Sequence, residues 1–243
     1  MTILVNNEFA KWATGFSGFD GGNPKGSVWL CGFECAGTPN EDDLVFEDVT
    51  TPGYVAENRG QFLRGSQYNL KAVKLLAALA GRDTRDYEPF FNEESCFNRD
   101  SNYFKLNLYP IGFKNTKHEH WADWITQKTG FTTKQEYLEW CREKRFPMFR
   151  DWILTYSPSL IICTGKTYAT QFQSAFGSGT EKVFTEEVAG KEIKYFRTND
   201  NKTTVVIIYF LGTQYGLKSD EEISLTGKKI AELVEKHGEF DIT

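Results

Sequence analysis

The sequence predicts an α/β domain with three layers, in which a mainly parallel central sheet carries helices on both faces. Two observations support this fold class: short apolar runs typical of buried strands alternate with segments whose apolar residues recur at helical spacing, and turn residues separate them. Parallel strands require crossover connections, which are right-handed and place helices over the sheet. We find no repeat or linker, so we expect a single domain over residues 1–243, with 114–150 as a helical elaboration.

The first half of the chain contains two predicted strands with a helix between them. The run SVWLCGF at 27–33 follows a GGNPKG turn and precedes an acidic loop, as expected of a buried strand. Apolar residues at helical spacing predict a helix over 67–79, with Gly81 where a C-terminal cap belongs. In the run NYFKLNLYP at 102–110, Phe104, Leu106 and Leu108 recur at every second position, which is the period of a strand. We expect this strand to stop at Pro110.

In the second half of the chain, predicted helices and strands also alternate. Residues 133–156 predict one or two helices broken near Pro147, with Thr132 or Thr133 as the N-cap and Glu136 close to capping-box spacing. The remaining predicted elements are a strand at 159–165, a helix at 167–176, two strands at 191–198 and 203–212, and an amphipathic helix at 219–238.

Composition limits the classes of function. The 33 acidic and 28 basic residues give a net charge of −5, which argues against nonspecific coating of nucleic acid; a basic segment at 59–74 nevertheless contains no acid. Five cysteines without a CxxC pair are expected to be buried thiols. No apolar run approaches the roughly 18 residues of a membrane span, and no signal peptide is visible. We therefore expect a cytoplasmic protein without a cofactor.

Several nucleotide and nucleophile motifs are excluded. The TGKT sequence at 164–167 lies between a strand and a helix, but a phosphate-binding loop needs glycine where Leu160 stands. No GxGxxG follows a strand and no GxSxG is present, which disfavours a dinucleotide fold and a serine nucleophile. His118 and His120, with Asp123, form either a metal site or a polar loop that touches a ligand. We favour the loop and expect no metal.

Polar residues stand at the ends of three predicted strands. Glu34 follows the first strand, Asn107 lies in the second, and the loop FLGTQYG at 210–216 follows the last. Ligands of open α/β sheets bind outside the carboxyl ends of the strands, so these groups are candidates for one pocket. The alternatives are an Asn107 that only bonds nearby backbone, and a Glu34 that is a loop carboxylate or a helix cap.

These residues resemble the motifs of the uracil-DNA glycosylase superfamily. The likeness spans residues 27–230 and consists of GFECAG after the first strand, Asn107 in the second, LIICTGK in the third and a glycine-containing loop after VVIIY. In that family the first motif has the form G-x-(Asp or Asn)-Pro-(Tyr or Gly), and the last is His-Pro-Ser followed by a wedge residue. Here the proline and tyrosine of the first motif and the histidine of the last are absent.

The resemblance implies a set of site residues. Glu34 takes the place of the residue that positions the attacking water, and Asn107 takes that of the asparagine that recognises the flipped base. Phe62 is the candidate ring that stacks on the base. The other expected substrate contacts are Phe33, Ala36, Gly212, Thr213, Gln214 and Tyr215, and the expected DNA-binding residues are Arg59, Arg64, Lys166 and Lys218.

The chemistry of base removal suits these residue types. Cleavage of an N-glycosidic bond gives the sugar oxocarbenium character, which the Glu34 carboxylate can stabilise while it orients water. A donor from Asn107, or backbone N–H groups of 212–215, can stabilise the departing base. Extruding a base costs a few kcal/mol, which stacking offsets. We expect a monomeric, monofunctional DNA glycosylase whose partner is double-stranded DNA with a flipped base.

Ala36 indicates the substrate. In the resembling uracil enzymes a tyrosine at this place packs against carbon 5 of the base, and alanine opens that edge. A pyrimidine with a large polar group at carbon 5 would fill such a pocket. Glucosylated hydroxymethylcytosine, which occurs in the DNA of some bacterial viruses, is a base of this kind. Excision of this base from viral DNA would serve antiviral defence. The residues expected near that group are Gln61, His118, His120, Trp121 and Gln214. The alternatives are a noncatalytic nucleic-acid-binding module of the same fold, a repair glycosylase for uracil or mismatched thymine, and a nucleoside hydrolase.

Overall fold

The structure, a computed structural model, describes residues 4–19, 21–37, 40–42, 44–47, 49–55, 59–113, 121–212 and 216–235. Seven strands in this part of the chain form one sheet. They are β1 (Gly21–Gly22), β2 (Val28–Ala36), β3 (Tyr103–Phe113), β4 (Leu160–Thr164), β5 (Phe184–Val188), β6 (Lys191–Thr198) and β7 (Thr203–Ile208). The helices are α1 (Asn7–Ala13), α2 (Arg59–Arg64), α3 (Gln67–Leu79), α4 (Tyr87–Glu93), α5 (Asp123–Thr129), α6 (Lys134–Trp140), α7 (Phe146–Tyr156), α8 (Ala169–Phe176) and α9 (Asp220–Glu235).

The sheet has a parallel centre and antiparallel edges. Its strand order is β1-β3-β2-β4-β7-β6-β5, and β3, β2, β4 and β7 run parallel to one another. The short β1 lies antiparallel to β3 at one edge, and the β5–β6 hairpin lies antiparallel to β7 at the other. The predicted mainly parallel α/β sheet is confirmed for this central part.

Helices cover both faces of the sheet, as predicted. One core packs against α1, α5, α6, α7 and α8, and the other packs against α2, α3, α4 and α9. Alternate residues of β2 point to opposite cores: Trp29 and Cys31 belong to the first, and Val28 and Leu30 to the second. A central strand buried on both faces needs apolar residues at nearly every position, which explains the unbroken apolar run in the sequence.

Two strand predictions need correction. β3 continues through Pro110 to Phe113, and Pro110 stands where the register of β2 against β3 shifts, between Glu34 and Ala36. Proline is tolerated at such an irregularity because no regular ladder bond is lost there. The hairpin strand β5 was also not predicted, because its residues are mostly exposed and show little apolar pattern.

The elaboration at 114–150 is helical where the structure describes it. Thr133 caps α6 in a capping box with Glu136, as predicted. The predicted break near Pro147 is a five-residue π-helical segment at Cys141–Arg145, after which α7 begins with Pro147 in its first turn. This stretch places Lys134 and Arg145 against the sheet.

None of the helices that the structure describes has the length and apolarity needed to cross a bilayer.

Candidate active site

The topology predicts a ligand-binding crevice at the carboxyl edge of the sheet. From β2 the chain passes to β3 on one side, and β4 then joins β2 on the other side. Such a reversal of strand order leaves a gap between the outgoing connections, where open α/β sheets bind their ligands. The carboxyl ends of β2 and β4, at Glu34 and Thr164, therefore mark the candidate site.

Glu34 is held there by a lysine from α6. Its carboxylate lies 3.1 Å (Oε2) and 3.4 Å (Oε1) from Nζ of Lys134. The side chains are almost fully enclosed, with 6% of Glu34 and 0% of Lys134 exposed. The Lys134 ammonium also lies 3.8 Å from the centre of the Phe113 ring. The sequence predicted the carboxylate at this edge but not the lysine that faces it.

Burial controls the protonation of this pair. Loss of solvent raises the pKa of Glu34 to about 7, and the charge and hydrogen bond of Lys134 oppose that rise. Burial also lowers the pKa of Lys134, against the attraction of Glu34. A carboxyl group with a pKa near neutrality can hold or release a proton at the pH of a cell, which is what a group that activates water must do.

Asn107 faces β2 at Gly32, its register partner. A Cβ on Gly32 would lie 2.3 Å from Asn107 Oδ1, so only glycine leaves room for the amide. The Nδ2 group donates to the carbonyl oxygen of Gly18 at 2.8 Å and contacts Sγ of Cys35 at 3.1 Å. Both N–H groups are thus directed at protein acceptors. The expected donor role of Asn107 toward a departing base stays a prediction, and it would require Nδ2 to exchange one of these acceptors for the base.

A fully buried arginine braces the strand that carries Asn107. Arg145 donates from Nε to Leu108 O at 2.9 Å, and from Nη2 to Ser17 O at 2.8 Å and Asn107 O at 3.4 Å. Its Nη1 donates to Ala13 O and to Ser17 Oγ. All five N–H groups are engaged, although burial lowers the pKa of the guanidinium to about 10. Arg145 therefore ties β3 to the segment after α1.

Aromatic rings line the second core near Gly32. The Phe62 ring lies parallel to Phe91 with 5.7 Å between centroids, and Lys105 Nζ lies 5.4 Å from its centre. These contacts pack the partly buried Phe62 ring against the core, and its role as the platform for a base stays a prediction. Phe210 is 39% exposed and lies 5.4 Å from the Tyr68 ring, so it is the better-placed aromatic residue at this edge.

Tyr68 connects this region to β4. Its hydroxyl lies 2.8 Å from Thr164 Oγ1, and the Thr164 hydroxyl donates to Cys31 O at 3.3 Å. Since a carbonyl oxygen only accepts, the Thr164 proton goes to Cys31 and the Tyr68 proton goes to Thr164. The Tyr68 oxygen lies 3.7 Å from the position that a Cβ on Gly32 would take.

The other predicted substrate residues lie partly in the first core, partly on the surface and partly outside the described residues. Phe33 is 7% exposed and stacks on Tyr168 at 3.7 Å, so its ring belongs to the first core. Trp121 donates to Thr126 Oγ1 and Phe131 O, and its expected contact with a ligand stays a prediction. Gly212 lies beside Phe210, and Gln61 is exposed on α2. Thr213, Gln214, Tyr215, His118 and His120 lie outside the described residues, as do the side chains of Ala36 and Arg59.

The predicted basic residues lie on three separate elements. Arg64 is exposed at the end of α2, and Lys218 is exposed before α9. Lys166 follows β4, and its ammonium pairs with Glu192 at 2.9 Å and lies 3.4 Å from the Tyr209 hydroxyl. Part of the Lys166 charge is therefore already compensated.

The described residues contain no group of three His, Cys, Asp or Glu side chains arranged to hold a metal ion.

The sequence missed Lys134, Lys105, Tyr68 and Arg145, because nothing in their local patterns distinguishes them from surface residues. No protein-family model matches the chain, and no curated protein matches it.

Proposed function

We propose that the protein is a DNA glycosylase that hydrolyses the N-glycosidic bond of a flipped pyrimidine and leaves an abasic site. The observation that carries this proposal is Glu34, a carboxylate with 6% of its side chain exposed, at the carboxyl end of β2. A burial-raised pKa of about 7 in a ligand-binding crevice is typical of a group used in catalysis. Glu34 is also the residue to which the uracil-DNA glycosylase resemblance assigns the positioning of the attacking water.

The chain's own groups support a hydrolytic step. In its ionised form Glu34 stabilises the positive charge that develops on the sugar, and it accepts a proton from the water that attacks carbon 1′. The bond from carbon 1′ to the base nitrogen breaks, and the base leaves with the bonding electrons and is then protonated. Lys134 holds the carboxylate in place at 3.1 Å. The proposed donors for the leaving base are backbone N–H groups of the 212–215 loop, or Asn107 after it exchanges one of its protein acceptors for the base.

The proposed substrate is a pyrimidine with a large polar substituent at carbon 5, such as glucosylated hydroxymethylcytosine in bacterial-virus DNA. This proposal depends on the size of Ala36, in the place where the resembling uracil enzymes carry tyrosine. The Ala36 backbone pairs with Phe113 beyond the irregularity in β2, at the carboxyl edge of the sheet. Removal of such a base would damage viral DNA and spare unmodified host DNA.

The test incubates the protein with three duplexes: virus DNA carrying glucosylated hydroxymethylcytosine, unmodified DNA, and DNA with uracil. Abasic sites are scored after alkali cleavage. We expect cleavage of the glucosylated DNA, and we expect Ala36→Tyr to reduce it at least about tenfold by filling the space at carbon 5. Fastest release of uracil would instead assign the protein to base repair, and retained activity of Ala36→Tyr would refute the open-pocket argument.

A noncatalytic DNA-binding module of the same fold is the second candidate. The Glu34–Lys134 ion pair favours it, because a carboxylate held by a lysine can be a structural group. This candidate predicts DNA binding without abasic sites on any of the three duplexes.

A further inference from the structure

Three neighbouring strands bring a group of charged side chains to the carboxyl edge of the sheet. Lys166 stands two residues after the end of β4, and Tyr209 directly follows β7. The parallel register of β4 with β7 sets these two residues beside each other. Since β6 runs antiparallel to β7, its residues Lys191, Glu192 and Lys194 begin at the same edge. The fold thus assembles this group from separate parts of the sequence, next to the candidate active site.

Two lysines of this group share one carboxylate oxygen. Oε1 of Glu192 lies 2.9 Å from Nζ of Lys166 and 3.9 Å from Nζ of Lys194. All three side chains reach solvent, with 28% of Lys166, 34% of Lys194 and 41% of Glu192 exposed. A ligand in solution can therefore approach the place that the carboxylate occupies.

Tyr209 keeps Lys166 in position independently of Glu192. The Lys166 ammonium donates to the Tyr209 hydroxyl oxygen at 3.4 Å and lies 5.1 Å from the ring centre, a cation–π distance. Lys191 Nζ lies 5.4 Å from the same ring centre. Because the tyrosine oxygen accepts from Lys166, its own proton can be donated to an anion. An ammonium group held in this way loses less freedom when it binds a ligand.

Strand pairing does not explain a glutamate at position 192. Its register partner on the neighbouring strand β5 is Glu187. Like charges directly opposite each other destabilise an antiparallel pair, so the ionic contacts of Glu192 lie with the lysines and not with its partner strand. A carboxylate and a phosphodiester both share one negative charge between two oxygens that accept charge-assisted hydrogen bonds. The lysines and the tyrosine therefore have the donors of a phosphate site, with an internal anion in it.

We propose that Lys166, Lys194 and the Tyr209 hydroxyl bind one phosphodiester of the DNA backbone, and that Glu192 occupies the place of this phosphate in the free protein. The inference rests on the proposed function as a DNA glycosylase. The resemblance implies only Lys166 as a DNA contact, so the other three residues are new. When DNA binds, the phosphate displaces Glu192 Oε1 from the ammonium groups, and the carboxylate returns to water. Glu192 thereby lowers the affinity for all DNA sequences alike.

The experiment removes the competing carboxylate and measures DNA binding. The probe is a duplex with a tetrahydrofuran abasic analogue, which has no base to release, and binding is followed by fluorescence polarisation at about 0.15 M salt, where the Debye length is about 8 Å. We expect Glu192→Gln to strengthen binding about threefold, within the range of an exposed ion pair. Glu187→Gln is the matched control, because Glu187 is exposed, has the same charge and lies directly opposite Glu192. It should change the affinity by less than about 1.5-fold.

A second background tests whether the gain depends on the lysine. In Lys166→Gln, the added Glu192→Gln change should strengthen binding no more than the control does, because the carboxylate no longer competes for that ammonium. Equal gains from Glu192→Gln and Glu187→Gln would overturn the inference, since only net charge would then matter. Weaker binding by Glu192→Gln, or a gain that persists in Lys166→Gln, would also overturn it. Each variant is measured on protein whose thermal unfolding is cooperative.

The phosphate site and the glycosylase can fail separately. Release of the glucosylated base, with equal binding gains from the two glutamine variants, would retain the glycosylase and refute the phosphate site. A larger gain for Glu192→Gln, with no base released from any duplex, would retain the phosphate site and refute the glycosylase.

Discussion

Replacing Lys134 by methionine tests the part of the site that the sequence did not predict. The ammonium lies 3.1 Å from the Glu34 carboxylate and opposes the rise in its pKa that burial causes. An opposite charge at this distance typically lowers a carboxyl pKa by about 1–3 units, so its removal should move the pKa of Glu34 from about 7 to at least about 8. At pH 7 the ionised fraction would then fall from about one half to below about a tenth.

The expected result is a displaced pH profile. In the proposed mechanism only ionised Glu34 activates water, so base release by the wild type should decrease about tenfold per pH unit below about 7. In Lys134→Met the same decrease should begin at least about one unit higher, with near-normal rates at pH 9 or above. The assay is single-turnover release of the modified base between pH 5 and pH 10, a range chosen to include both limbs.

Lys144→Met is the matched control, since Lys144 is an exposed lysine in the helical stretch that follows α6. Its profile should coincide with that of the wild type. An acid limb that stays in place in Lys134→Met would show that the lysine does not control the Glu34 proton, and would refute the reasoning from the ion pair.

Three further predictions concern Glu34, the basic segment and the buried arginine. Glu34→Gln should abolish base release and leave DNA affinity within about threefold, measured by polarisation, because the carboxylate acts on the transition state; release at a near-normal rate would remove it from the mechanism. Substituting Arg59 and Arg64 by alanine should weaken binding to all DNA sequences alike and reduce the slope of affinity against salt; an unchanged slope would locate the DNA elsewhere. Arg145→Met should lower the unfolding free energy by about 3–5 kcal/mol in urea titrations, since its acceptors lose their donors in the core, whereas exposed Arg85→Met should change it by less than about 0.5 kcal/mol.

The centre of the fold could be predicted because its elements carry strong periodic signals. The β4 strand is buried at all five positions, and the sequence shows an unbroken apolar run there. The helix α3 has the predicted bounds, and Gly81 takes the positive φ of a C-terminal turn. The elements that were missed, such as α1, α4 and α5, have only seven residues each, which is too short for helical periodicity to be distinct.

In the candidate site, the sequence predicts only those residues that stand out in their own local pattern. The sequence predicts Glu34 and Asn107 as site residues because polar groups at the ends of apolar strands are unusual. Lys134 is 100 positions from Glu34 in the sequence, and Gly18 is 89 positions from Asn107. Contacts over such separations depend on how the strands and helices are arranged, and no local pattern encodes them. The polarity of the Asn107 amide is therefore a property of the fold and not of the motif.

The free-energy cost of keeping Glu34 at this place separates a functional from a structural role. Its pKa is raised from 4.5 to about 7, so the folded state binds more protons than the unfolded state between these values. The unfolding free energy therefore decreases as the pH rises through that window, by about 3 kcal/mol, and stays lower above it.

A purely structural position would be better filled by neutral side chains, since replacing a buried ion pair by such residues is often neutral or stabilising by about 1–4 kcal/mol. The double variant Glu34→Gln with Lys134→Met should thus be at least as stable as the wild type at pH 8, lose the pH dependence of unfolding between pH 5 and 7, and release no base. A double variant less stable than the wild type would instead make the pair a structural element, and the case for Glu34 as the catalytic carboxylate would lose its physical basis.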